Sequence, residues 1–154
     1  MSYNNSKEHL LKEGVIKKCA VDHKAIRNLL KRAYVDLKTA ERNYGLDEEC
    51  AYTYAYNALL RTGLALILSH GFRPDVKNKH LTVIKFATDV LGNEFKQLIR
   101  AYDIMRKKRH KFIYEPAIPC SAQEAKNAMK IAQEFVDKVF QKISAEDPQH
   151  KLKF

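Results

Sequence analysis

The sequence predicts an all-α fold: an antiparallel four-helix bundle with a short extra N-terminal helix. Three observations carry that expectation. Apolar residues recur every three or four positions through most of the chain, the spacing that gathers them on one face of a helix. The few glycines and prolines, five and four in 154 residues, fall mostly between these periodic stretches, as punctuation between helices does. No stretch carries the period-two alternation of a strand. The length suits one domain, residues 1–154, with its core at about 23–143 and a non-periodic tail, 144–154, expected to be flexible. An apolar content of 45% provides a core and excludes a disordered chain.

The first helix, about Ser6 to Glu13, takes Ser6 as its cap and Gly14 as its stop. The second, about His23 to Tyr44, follows Asp22 as N-cap. It carries Ile26, Leu29, Leu30, Ala33, Leu37 and Ala40 on one stripe and ends at Gly45. The third begins after Asp47 with Glu48 and Glu49 in its first turn, where carboxylates suit the helix dipole, and runs to about His70 ahead of Gly71. It is apolar nearly all round from Ala51 to Leu68, which places it centrally. A loop, "GFRPDVKNKH", leads to a fourth helix near His80 to Leu91, stopped by Gly92. The fifth runs from about Asn93 to Ile113 or Tyr114, because Pro116 disfavours helical geometry in the residue before it. The sixth opens on "SAQE", Ser121 to Glu124, with the spacing of a capping box, and continues through Ala125, Ala128, Ala132, Phe135, Val139 and Ile143. Short connections between long helices favour antiparallel neighbours.

Charge narrows the function. The chain has 28 Lys and Arg against 18 Asp and Glu, a formal net charge of +10, which suits a polyanionic partner such as nucleic acid or an acidic protein surface. The three cysteines, Cys19, Cys50 and Cys120, are far apart and lack metal-ligand spacing, so reduced thiols in a cytoplasmic protein are expected, with neither a disulfide framework nor a zinc site. No Gly-rich phosphate loop is present, and nothing points to a metal or organic cofactor. The N-terminus lacks the apolar core of a signal, and the longest apolar run, Leu64 to Leu68, is far too short to span a bilayer.

The charge is concentrated. From Arg100 to Tyr114 there are six Lys or Arg and one Asp, a net of +5 that is half of the chain's excess. Within this segment "RKKRHKFIYEP", Arg106 to Pro116, ends the fifth helix. Cations in a last turn are favoured by the dipole without any functional role, yet this concentration exceeds what dipole matching needs. Arg109 continues the inward stripe of Phe95, Leu98, Tyr102 and Met105, whereas Arg106, Lys107 and Lys108 fall mostly off it, with Asp103 one turn back as a partner for Arg106 or Lys107. His110 and Tyr114, four apart, share a face beside Arg109. That trio can bind a phosphate and handle a proton, and Arg106, Lys107, Lys108 and Lys111 supply a basic face for nucleic acid. Elsewhere Tyr52 and Tyr56 share one face of the third helix, as core packing or as a base-stacking surface. His70 and His80 stand at helix ends, where a cap or dipole role is expected rather than metal ligation.

Four strings, "LKTAERN", "AYTYAYNALLRTGLALILSHGFRP", "MRKKRHKFIYEP" and "AKNAMKIAQEFVDKV", occur in the order of the core helices of the HEPN superfamily, which the chain resembles from about Ala25 to Ile143. The resemblance implies a small helical domain of prokaryotic toxin–antitoxin or defence systems. Active members are metal-independent endoribonucleases that dimerise and bring two copies of an Arg, four-to-six residues, His motif into one cleft. Arg109 followed by His110 matches the start of that motif and would make Arg109 the phosphate-binding or transition-state group. Tyr114 stands where an active member would have the second histidine, and a phenol is a poor general base at neutral pH. The resemblance therefore implies an RNA-binding homodimer with a degenerate motif. Its alternatives are a ribonuclease in which His110, the only imidazole of the motif, activates the ribose 2′-hydroxyl, and a protein partner of a minimal nucleotidyltransferase. In some such toxins a motif tyrosine is modified by nucleotidyl transfer, a role that would fall to Tyr114.

Overall fold

The computed structural model of the protein describes residues 3–146. Helix makes up 77% of it, in six α-helices beside one two-stranded sheet. The helices are α1 (Tyr3–Lys12), α2 (His23–Asn43), α3 (Glu48–Ser69), α4 (Lys79–Val90), α5 (Lys96–Tyr114) and α6 (Ala122–Glu146). All six expected helices are present in order. A single 3-10 turn, Asn93–Phe95, stands where the fifth was expected to begin.

Four details differ from the sequence reading. Strands β1 (Ile16–Lys18) and β2 (Phe72–Pro74) pair antiparallel, with Ile16 opposite Pro74 and Lys17 opposite Arg73; three residues each are too few to display alternation. Helix α1 begins at Tyr3, so Ser6 lies inside it rather than capping it. Helix α6 continues through Ser144 to Glu146, because Ile143 is buried and holds the last turn down; the remainder of the expected tail, 147–154, lies outside the described residues. Finally, Glu124 does not close the capping box but pairs with Lys108 at 2.7 Å.

The other caps form as their residue types dictate. Asp22 accepts the amide of Ala25 at 3.0 Å, Asp47 that of Cys50 at 2.9 Å, and the Ser121 hydroxyl that of Glu124 at 3.1 Å. Helix α3 is central and packs against α2, α4, α5 and α6. It buries Tyr56, Leu59, Leu66 and Ile67 completely, at roughly 1.5–3 kcal/mol for an aliphatic side chain of this size. Gly63 faces α4, and a Cβ there would overlap Val83. The stripe of α2 includes a fully buried carboxylate, Asp36, which accepts from Arg61 Nε of α3 at 2.6 Å and lies 3.4 Å from Arg32 Nε. At the far end of α3, Lys7 of α1 meets His70 Nδ1 at 3.0 Å. Among the described residues no helix is long and apolar enough to cross a membrane.

Candidate nucleic-acid interface

The end of α5 divides its basic residues by direction. Asp103 takes Arg106 Nη2 at 2.9 Å and Lys107 at 3.2 Å, as helical spacing of three and four requires. Lys108 turns to α6, where it meets Glu124 and lies 5.9 Å from the centre of the Phe112 ring. Lys111 is exposed. Arg109 differs from its neighbours: it has no ion pair among the described residues. Its Nε is buried without a hydrogen bond, and its Cζ lies 5.3 Å from the centre of the Tyr56 ring. A guanidinium over a phenol face recovers part of the cost of burial, but a cation without a counter-charge is the arrangement that an incoming anion stabilises.

Arg109 opens onto a cleft of about 490 Å³ between the end of α5 and the start of α4, over the buried ring of Tyr56. His110 and Tyr114 line it, their rings 4.4 Å apart. Arg106 and Lys79 stand at its edge, and Val76, Leu81 and Ile113 form an exposed apolar rim. The sequence-predicted residues Arg106, Arg109, His110 and Tyr114 are thus brought to one cleft, while Lys107, Lys108 and Lys111 are not among its lining. A second groove, about 400 Å³ between α4 and the start of α5, is lined by Thr88, Asn93, Lys96 and Arg100 and has no imidazole.

Two aromatic members of the cleft, Tyr56 and His80, were not assigned to it by sequence. Tyr56, whose ring forms the floor, was read with Tyr52 as core or stacking surface. Tyr52 instead meets Phe112 edge-on at 5.2 Å on the side of α3 that holds Cys120 and Glu124. His80 is expected from sequence to be a cap or dipole partner; the cap position is Asn78 instead, and His80 lies within the first turn of α4. Asn78 precedes α4 in the left-handed region at φ 55°, with no side-chain capping bond, and His80 turns inward to share a 2.6 Å hydrogen bond between its Nδ1 and the Tyr56 hydroxyl. The two rings are stacked, 7° from parallel. His110 is therefore not the cleft's only imidazole. Burial, then Arg109, Lys79 and Arg106, hold His80 below its ordinary value. Burial pushes the Tyr56 hydroxyl up to about 12 against the opposing pull of the Tyr102 hydroxyl and then of Arg109 and Arg106. The only signal in the sequence was the lone histidine two residues after Asn78, and its partner lies 24 residues earlier.

An unpaired arginine, two imidazoles and two phenols on a positively charged surface can seat a phosphate and exchange protons with what it carries. Against protein families, the HEPN domain matches residues 26–143, most of the chain. No curated protein and no solved structure matches it.

Proposed function

Because the chain belongs to the HEPN family, we propose that it binds RNA through this cleft, as a homodimer and as a cytoplasmic component of a toxin–antitoxin or defence pair. The observation that carries the reading is Arg109, a cation with a buried Nε and no carboxylate partner among the described residues, while Arg106, Lys107 and Lys108 each have one. A backbone phosphate supplies the missing charge. The long helices α2, α3, α5 and α6 serve as an antiparallel bundle that holds the cleft rigid, and the apolar rim of Val76, Leu81, Ile113 and Tyr114 is where a second copy would close over it. Single-stranded RNA mixed with the protein in EDTA is expected to bind with an affinity that falls steeply with salt and to remain uncut. Absence of salt-dependent binding to any RNA sinks the proposal.

Cleavage is the second reading, favoured by the contact of His110 with Tyr114 beside Arg109. There His110 takes the 2′-hydroxyl proton and Arg109 stabilises the phosphorane, without a metal. Wild type, His110→Ala and Tyr114→His compared on one structured RNA in EDTA decide it: cleavage by wild type that His110→Ala abolishes replaces the first reading with this one. Tyr114 is 71% exposed, which also fits a nucleotidyltransferase partner that modifies it. Intact-mass measurement after co-expression with such an enzyme tests that role.

A further inference from the structure

We propose that His80, held by Tyr56, is the second phosphate-binding group of the cleft: it presents its Nε2 to an oxygen of the phosphate seated on Arg109 and takes up a proton from solvent as that phosphate binds. The inference rests on the cleft being the RNA site. Its basis is that one buried ring positions both groups, since Tyr56 lies beneath the Arg109 guanidinium at 5.3 Å and bonds His80 Nδ1 at 2.6 Å. With Nδ1 engaged, Nε2 is the nitrogen left for a ligand. The stacked geometry of the rings fixes the plane in which it points.

Proton accounting sets the state of the free site. Tyr56 is fully buried, and its hydroxyl keeps its proton at any physiological pH. We assign the hydroxyl as the donor to Nδ1, so that the neutral ring carries its hydrogen on Nε2, ready for an anionic oxygen. The charges that act on His80 are Arg109 and Arg106 from α5 and Lys79 from its own helix, all cations; no charged group of α1 or β2, which also pack on α4, is among them. Burial first, and that field in addition, keep the free imidazole neutral. A phosphate on Arg109 cancels it and stabilises the imidazolium. Nδ1 then becomes a donor, and the Tyr56 hydroxyl must turn to accept. Tyr102, packed on Tyr56 with ring centres 5.7 Å apart and coupled to it hydroxyl to hydroxyl, is placed to receive its proton. Binding and protonation are therefore linked: affinity rises as pH falls.

The experiment is fluorescence anisotropy of 2′-O-methyl RNA with hydroxyl ends, which cannot be cut internally and offers only diester phosphates, from pH 8 to pH 5.5. Wild type, His80→Asn, His80→Gln and His110→Ala are compared, each first shown to be helical and cooperatively folded. Affinity is expected to rise about five- to tenfold across the range in wild type, to keep most of that rise in His110→Ala, and to lose most of it in both His80 variants. A second readout is the ¹⁵N shift of His80, which should move to its protonated value at higher pH when the RNA is present. The proposal is overturned if either folded His80 variant keeps the full pH dependence, or if His110→Ala loses it. Binding without pH dependence in wild type removes this proposal and leaves RNA binding standing, whereas no binding at any pH removes both.

Discussion

Asp36 and Arg61 show at the scale of single residues how a polar pair is fixed inside an apolar seam. Asp36 is fully buried on the stripe of α2, and Arg61 reaches it from α3 at 2.6 Å, so the carboxylate is stable there only while that guanidinium remains. Arg32, 3.4 Å away and half exposed, adds less. Urea unfolding of Arg61→Leu is expected to show a loss of about 3 kcal/mol, and of Arg32→Ala less than about 1 kcal/mol. Equal losses would mean that the buried bond is not what joins the helices. Neither partner announced itself in sequence: an aspartate within an apolar periodicity reads as solvated until the helix that covers it is known.

Between elements, the closest fit is α3 against α4. Gly63 leaves room for Val83, and Gly63→Ala is expected to destabilise by about 1–3 kcal/mol through overpacking. Val83→Ala in the same chain should restore part of that loss in thermal unfolding; an additive double variant would contradict the contact. The seat of α1 depends on pH. His70 is held below its ordinary 6.5, first by burial and then by Lys7. The unfolded chain therefore binds this proton where the folded one does not. The stability involved is whole above pH 6.5 and declines as pH falls from there through the folded-state value. Protection factors of the α1 amides, corrected for the intrinsic pH dependence of exchange, should fall between pH 7 and pH 5.5, and His70→Gln should remove that fall. His80, lowered for a similar reason, leaves its own slope in the global stability. At this scale the sequence was legible where the chemistry is local. Asp22, Asp47 and Ser121 cap as their types require, and Gly14, Gly45 and Gly71 take positive φ at the ends of helices. It was illegible where the cause is distant. Strand β1 pairs with β2 more than fifty residues away, and His80 acquires its role from Tyr56 on another helix.

For the whole molecule, the rim of Val76, Leu81, Ile113 and Tyr114 leaves apolar surface in water beside the cleft, and a second copy would cover it. Light scattering at micromolar concentration is expected to give a dimer, and Ile113→Glu a monomer; a monomeric wild type would remove the shared cleft. The net charge of +10 draws polyanions to the entire surface, so binding alone does not identify the site. What marks the proposed site is the difference between Arg109, without a counter-charge among the described residues, and Lys108, paired with Glu124. The most direct test is anisotropy of a labelled single-stranded RNA in EDTA across a salt series, with wild type, Arg109→Ala and Lys108→Ala side by side. Arg109→Ala is expected to bind about tenfold more weakly with a salt slope smaller by about one, and Lys108→Ala to stay near wild type. Equal affinity for wild type and Arg109→Ala, or a larger loss in Lys108→Ala, would contradict the account.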